Sequence, residues 1–164
     1  MLLRLVLVLV LAVAALCNTV ACGRDPGPDP IPGVRLGMTP RDVRDHFESD
    51  PSRGGAGAGA WQTKVGGGAG ASDDTVLEWT ATDPQAATRH ARFEFHLGML
   101  VAIRVQQRDR ISAERIDVTP KTVTRRAPGG GGAAGATGGT EVTVLSRDCP
   151  THHEEAEALA IKAR

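Results

Sequence analysis

The segment GVRLGMTPRDVRDHF, residues 33–47, carries the strongest local structural signal of the chain. It predicts a short extended lead-in followed by a helix. Thr39 is a good N-cap residue. Pro40 suits the first helical position because its φ is already close to the helical value and because the N–H that proline lacks would make no hydrogen bond within the helix at that position. Val43 and Phe47 are four residues apart and would lie on one face. The segment therefore predicts a helix that begins at Pro40 and packs through this apolar face.

A β-hairpin is predicted for residues 90–106, HARFEFHLGMLVAIRVQ. Apolar and polar residues alternate on both sides of Gly98, a good turn residue because positive φ costs glycine little. One face of this hairpin is apolar and the other is polar, as in an antiparallel sheet with one covered side. The helix face formed by Val43 and Phe47 is the predicted cover.

Shorter segments complete the predicted fold. Four of them are rich in β-branched or alternating residues, namely 75–80, 116–118, 121–126 and 141–147, and the last two are predicted to pair as a second hairpin. Thr151 and Glu154 match a capping box and predict a final helix. The sequence thus predicts one α+β domain over residues 33–164: an antiparallel sheet covered by the N-terminal helix, with a further hairpin and a C-terminal helix.

Two glycine-rich segments interrupt this pattern. Residues 53–71 and 128–140 lack hydrophobic periodicity, and both are predicted to be flexible, since glycine-rich chain is costly to order and has little to bury. Within the first, residues 61–65 are a candidate strand. Neither segment contains the phosphate-binding string G-x-x-x-x-G-K-[ST].

Residues 1–21 have the features of a signal peptide. The apolar run at 5–16 is shorter than the roughly 20 residues that a membrane-spanning helix needs. Small residues precede Cys22, as in the lipobox of bacterial lipoproteins, where the cysteine is acylated and begins the mature chain. The sequence predicts a palmitate-bearing lipoprotein anchored at Cys22 on the periplasmic side of a membrane, the outer membrane being favoured. Residues 22–32, rich in proline, would form the tether.

Secretion without a lipid is the alternative. Cleavage after Ala14 or Ala15 would leave Cys17 and Cys22 in the mature protein, and either could form a disulfide with Cys149 in an oxidising compartment. With a lipid on Cys22, by contrast, Cys149 would be the only other cysteine of the mature chain.

The charge of the chain is balanced. It contains 19 basic and 19 acidic residues. Because the chain has no excess of positive charge to attract the phosphate groups of DNA or RNA, the sequence predicts no nucleic-acid binding. We find no string typical of a hydrolase or a metalloprotease. The expectation is a protein without catalytic residues, cofactor or metal.

The densest group of reactive side chains follows the last predicted strand. Cys149 precedes His152 and His153, and a thiolate beside a helix N-terminus or a Cys–His pair could act as a nucleophile or a zinc ligand. No second ligand pair has zinc spacing, and adjacent histidines on a helix point about 100° apart. The favoured interpretation is therefore a part-buried cysteine at a strand–helix junction, with a site at Cys149 and His152 as the weaker alternative.

Three other histidines could in principle meet around a metal. His90 and His96 share the polar face of one predicted strand, and His46 lies on the N-terminal helix. No spacing fixes their geometry, so a solvated sheet face or a partner surface is the preferred interpretation.

The order of these elements resembles the SmpA/BamE-like small outer-membrane lipoproteins and, more widely, β-lactamase-inhibitor-like folds. The resemblance covers residues 33–106, and the matching residues are Gly37, Met38, Thr39, Val43, Phe47, Trp79, Phe93, Phe95 and Gly98. It implies a non-enzymatic role in envelope assembly or protein binding.

The predicted function is accordingly that of a bacterial envelope lipoprotein acting as an interaction or assembly module. It would meet the membrane through its lipid and bind envelope proteins. The alternative is a secreted or periplasmic protein with a thiol- or metal-dependent site around Cys149 and His152.

Overall fold

In the part of the chain that the structure describes, seven strands form one antiparallel sheet, flanked by two ten-residue helices. The computed structural model describes residues 30–49, 59–65, 74–129 and 138–164. The predictions for the signal peptide, for Cys22 and for most of the tether and glycine-rich segments lie outside these residues. The elements are β1 (Gly59–Val65), β2 (Asp74–Ala81), β3 (Thr88–His96), β4 (Met99–Gln107), β5 (Arg115–Val118), β6 (Thr122–Pro128), β7 (Thr140–Ser146), α1 (Pro40–Ser49) and α2 (His153–Lys162).

The strand order in the sheet is β1-β2-β3-β4-β7-β6-β5. The first four strands form a meander in which each pairs with its predecessor. The chain then crosses to the far edge for β5 and returns through β6 and β7, and β7 pairs with β4. The predicted pairing of β6 with β7 is confirmed.

The hairpin of β3 and β4 is also confirmed, and its turn contains an unexpected residue. Gly98 has a φ of 74°, and Leu97 before it has a φ of 51°. A two-residue turn with positive φ at both positions matches the right-handed twist of the strands, and it favours Asn-Gly. Leucine at this position is strained, because its Cβ crowds the backbone in the left-handed region.

Replacing Leu97 by asparagine is therefore expected to raise the stability of the protein by about 1 kcal/mol. Leu97 is exposed, so little packing is lost with the leucine side chain. The midpoint of urea unfolding measures the gain. A midpoint equal to or below that of the wild type would contradict the assignment of strain to this turn.

One face of the sheet, here called the inner face, carries the main hydrophobic core. It is built from alternate residues of the central strands, and its largest fully buried side chains include Leu77, Phe93, Phe95, Ile103, Val105 and Val142. Both tryptophans lie on this face, Trp79 buried and Trp61 partly buried. The alternation in the sequence correctly assigns this face to the interior.

The inner face is covered mainly by the non-helical segment Pro30–Met38, here called the strap. At one end, Gln107 Nε2 donates to the Pro30 carbonyl at 3.0 Å. At the other end, Gly37 N donates to Leu100 O and Leu100 N donates to Met38 O, both at 2.8 Å. The strap therefore runs along β4 from its last residue to its second. Ile31, Val34 and Leu36 are the strap residues that belong to the hydrophobic core.

The predicted α+β fold with an N-terminal helix as the cover is therefore wrong. The described residues form a mainly β structure, a seven-stranded antiparallel sheet with two short helices. Helix α1 begins at Pro40 as predicted, but it reaches the core only through Val43 and Phe47 and does not lie over the sheet. The physical reason is that Ile31, Val34 and Leu36 supply the apolar cover before the helix begins.

The start of α1 follows the sequence closely. Thr39 Oγ1 accepts a hydrogen bond from Asp42 N at 3.2 Å, and Asp42 Oδ2 accepts from Thr39 N at 3.2 Å. The Thr39 hydroxyl also donates to Asp42 Oδ2 at 2.8 Å, and this bond, together with the one from Thr39 N, holds the pKa of Asp42 below its usual range because both favour the carboxylate. The predicted N-cap is confirmed.

The start of α2 differs from the prediction. The helix begins at His153, and its N-cap residue His152 makes no side-chain capping bond. His152 N instead donates to Cys149 O at 3.1 Å, closing a turn in which Pro150 takes the second position that proline favours. Thr151 lies in this turn, so it cannot form the predicted capping box with Glu154.

The described residues cover only half of the opposite, outer face of the sheet. Helix α2 contacts β5, β6 and β7, and Ala156 and Ala160 pack on Ala102, Val123 and Leu145. Across the described ranges, no helix has the length and hydropathy of a membrane-spanning segment. Neither of the two described helices covers the outer face over β1, β2 and β3, and this half of the face carries charged side chains.

Candidate functional site

Strand register places charged residues side by side on the uncovered half of the outer face. Glu78 of β2 pairs with Arg92 of β3, which pairs with Arg104 of β4. Lys64 and Glu94 lie on the same face one step along their strands, because side chains two apart in a strand share a face. These five residues and Glu155 of α2 are called the charged ladder.

Ion pairs connect every member of the ladder. Lys64 Nζ lies 2.7 Å from Glu78 Oε2, and Arg92 Nη1 lies 3.0 Å from Glu78 Oε1. Arg92 Nε and Arg104 Nε approach the same oxygen, Glu94 Oε1, at 3.0 and 3.1 Å. Basic and acidic side chains therefore alternate along the ladder, and each bridges to the next.

The ladder ends in a two-pronged contact with α2. Arg104 Nη1 and Nη2 donate to the two oxygens of Glu155 at 3.0 and 2.7 Å. This bidentate geometry is the strongest form of a guanidinium–carboxylate pair. It ties β4 to the first turn of α2, where a carboxylate is also favoured by the helix dipole.

The ion pairs of the ladder lower the pKa values of two of its carboxyl groups and raise the pKa of one of its guanidinium groups. The hydrogen bond from Lys64 lowers the pKa of Glu78, and the bond from Arg104 lowers the pKa of Glu155. The same bond with Glu155 raises the pKa of Arg104. All three groups are held in their charged forms by their partners.

Acid should weaken the fold partly through this ladder. A carboxyl whose pKa is lowered on folding contributes stability that is fully present above its unfolded pKa, about 4.3 for Glu, and is lost as the pH falls through the folded value. We expect the wild type to lose more stability between about pH 5 and pH 3 than Glu155→Gln, which lacks one such carboxyl. Urea unfolding across this range measures the difference. Parallel pH profiles of the two proteins would contradict the expectation.

His152 lies where α2 meets the ladder. Its Nε2 is 3.4 Å from Glu94 Oε2, and the residue is only 8% exposed. Cys149, which the sequence groups with it, is fully buried and has a free thiol. No hydrogen bond joins the Cys149 thiol to the His152 ring in the described structure. The imidazole is thus directed to a carboxylate, and the thiol is closed to solvent, so the pair is poorly placed for nucleophilic chemistry.

The other histidines lie apart from one another. His46 belongs to α1 on the inner side, where its Nε2 is 2.6 Å from the Pro32 carbonyl oxygen. His90 and His96 are on the outer face, and His96 Nδ1 lies 2.8 Å from Asp74 Oδ1. The sheet separates His46 from the other two, so the three cannot share a metal. Within the described residues, no group of three or more His, Cys, Asp or Glu side chains could hold a metal ion.

Part of the charged ladder can be recognised in the sequence. Alternation in β3 assigns Arg92 and Glu94 to a polar face, and the structure confirms this placement. The roles of Lys64, Glu78 and Glu155 were missed, because their contacts depend on which strands are neighbours and on where α2 docks. In residues 75–80, TVLEWT, Glu78 is the one charged residue among mainly apolar and β-branched ones. That position could have indicated Glu78 as a member of the polar face.

Comparison of the chain with protein-family models, with curated proteins and with solved structures gives no match in any of the three.

Proposed function

We propose that the protein is a membrane-tethered, non-enzymatic interaction module of the bacterial cell envelope, with its partner-binding surface on the charged ladder. The observation that carries this proposal is the uncovered half of the outer face, where ordered charged side chains remain accessible. Lys64, Arg92 and Glu155 keep between 38% and 60% of their side-chain surface exposed. A rigid sheet presents them in fixed positions, which favours specific recognition.

The pattern of charge indicates the kind of partner. Signs alternate along the ladder and largely compensate each other, so a uniformly charged polymer gains little from contact with it. A folded protein with interspersed acidic and basic side chains can complement it, and such complementarity fixes register and orientation. Binding would weaken as salt increases, because exposed charges are screened.

The tether part of the proposal rests on the sequence around Cys22 and on the position of Pro30. If Cys22 is acylated, eight Cα–Cα steps separate it from Pro30, which the strap holds against Gln107. Covalent geometry limits that connection to less than about 30 Å. The partner surface would then act close to the membrane, and the resemblance to small envelope lipoproteins also supports this role.

Metabolic labelling with palmitate tests the anchor. The wild type should incorporate label and remain with the membrane fraction, and Cys22→Ser should lose both properties. Cys17→Ser is the matched control, since it alters a cysteine of the predicted leader, and it should behave as the wild type. An unlabelled wild type, or equal labelling of Cys22→Ser, would refute the lipoprotein assignment.

Site-specific photocrosslinking in intact envelopes tests the binding surface. A photoreactive residue at Gln62 or at Thr80, both exposed on the uncovered outer face, should form an adduct with the same envelope protein. The same residue at Arg41, exposed on α1, is the control and should not. The adduct should decrease when Arg92 is replaced by glutamine. Equal adducts from all three positions, or none, would contradict the proposed surface.

A further inference from the structure

A cleft lined by three arginines lies at the end of the sheet where β3 begins and β4 ends. The cleft has a volume of about 330 Å³ and is lined by Gln85, Arg89, Arg108, Arg110 and Gly138. These residues come from the β2–β3 connection, from β3, from the segment after β4 and from the approach to β7. The cleft is separate from the charged ladder, so a role for it is independent of the proposed function.

A β-bulge directs the first of these arginines. Thr88 pairs with Gln107, and His90 pairs with Gln106. Two steps along β3 therefore match one step along β4, and Arg89 is the extra residue. The extra residue of a bulge does not take part in the regular hydrogen bonding between the two strands, and its side chain points in a different direction from that of a regular strand residue. Bulges are frequent beside binding sites. Here the bulge turns Arg89 into the cleft lining.

The other two arginines are positioned by neutral groups. Arg108 Nη1 donates to Gln85 O at 3.3 Å, and Arg110 Nε donates to Gly138 O at 2.7 Å. The backbone between them is also held, because Arg108 N donates to Ala87 O at 2.8 Å and Thr140 Oγ1 donates to Asp109 O at 2.6 Å. Each guanidinium has five N–H donors, and these contacts use one on each.

The charge of these two arginines is not neutralised by a carboxylate in the part of the chain described. This distinguishes them from the arginines of the outer face and α2 contacts, which all pair with glutamates: Arg92, Arg104, Arg125 and Arg147. Asp109, between them in sequence, does not line the cleft. Arg108 and Arg110 thus bring uncompensated positive charge and unused donors to a concave surface.

We propose that this cleft, with Arg89 in its lining, binds a small oxyanion, a soluble molecule that presents a carboxylate or phosphate group to Arg108 and Arg110. Guanidinium groups match the planar geometry of such anions and bind them through paired N–H donors. The cleft volume is at the lower end of the range for small-molecule sites, about 300–1,000 Å³. Gln85 also lines the cleft.

Calorimetric titration of the full chain with inorganic phosphate and with succinate, at low ionic strength, tests the proposal. At least one anion should bind saturably, and added sodium chloride should weaken the binding. Arg108→Gln and Arg110→Gln, each alone, should raise the Kd at least about tenfold, the effect of losing a charge-assisted hydrogen bond. Arg41→Gln is the matched control, because it removes the same charge from a side chain that is 89% exposed on α1, and it should leave the Kd unchanged.

Several outcomes would overturn the proposal. They are the absence of saturable binding of either anion, an equal loss in the Arg41 control, and unchanged affinity in both cleft variants. Vesicles with anionic phospholipid form a separate arm of the experiment. Binding to those vesicles without binding of either small anion would also show that the proposal of a small-molecule site is wrong. Far-ultraviolet circular dichroism of each variant confirms that the fold is intact, and either cleft variant alone suffices for the decision.

Discussion

Phe47→Ala is expected to lower the free energy of unfolding by about 3–5 kcal/mol, the range for removing a large aromatic side chain from a core. The Phe47 ring lies 5.4 Å from that of Trp61, 5.6 Å from that of Trp79 and 5.4 Å from that of Phe93, centroid to centroid. It joins α1 to β1, β2 and β3 at once. The contacts with Trp61 and Phe93 are edge-to-face, and such pairs add stabilisation beyond the buried area, so the loss should be near the upper end.

Urea unfolding followed by tryptophan fluorescence measures this effect, since both tryptophans contact Phe47. Ile161→Ala is the matched control, because Ile161 is a large apolar residue of α2 that is 67% exposed. It should change stability by less than about 0.5 kcal/mol. A loss below about 1 kcal/mol for Phe47→Ala would contradict the packing of α1 through this ring.

Gly139→Ala is expected to lower the stability by about 2–3 kcal/mol, although it adds a single methyl group. A Cβ at this position would lie 1.9 Å from the Gln107 carbonyl oxygen, a backbone atom that cannot turn away. The start of β7 would have to separate from the end of β4. Thermal unfolding followed by circular dichroism measures the loss.

Gly98→Ala is the comparison for this prediction. Beyond its chain neighbours, no atom lies within 4 Å of a Cβ built at Gly98, so that variant meets only the cost of a side chain at positive φ, about 1 kcal/mol. The loss at Gly139 should exceed the loss at Gly98. The reverse order would mean that the close approach of Gly139 to Gln107 is not a real constraint. Because Gly138 lines the arginine cleft, Gly139→Ala should also weaken anion binding there.

Local features of the fold could be predicted from the sequence. The start of α1 depends on Thr39 and Pro40, and the β3–β4 turn depends on Gly98; in each case the cause lies within a few residues. Alternation in β3 and β4 likewise determines which face is buried, because it follows from strand geometry alone.

Features that depend on distant parts of the chain could not be predicted. The proline-rich composition before residue 33 suggested a tether, yet Ile31 is buried because the strap finds an apolar face to cover. The sequence predicts a candidate strand at residues 61–65 within a segment otherwise expected to be flexible, but the full strand β1 (Gly59–Val65) depends on its pairing with β2. The cleft lined by Arg89, Arg108 and Arg110 is assembled from four separate segments that span residues 85–138. Strand order and bulge position, which create the cleft, are properties of the sheet as a whole.

The strap also determines how the protein responds to mechanical force. A pull applied on the N-terminal side of Pro30 acts first on the hydrogen bond from Gln107 and on the side chain of Ile31. The contact of the Pro32 carbonyl with His46 and then Val34 and Leu36 would detach next, and the bonds to Leu100 would break last. Such sequential peeling needs less force than shearing all contacts together. The strap would therefore yield under load before the sheet does, exposing the inner face while the strands remain paired.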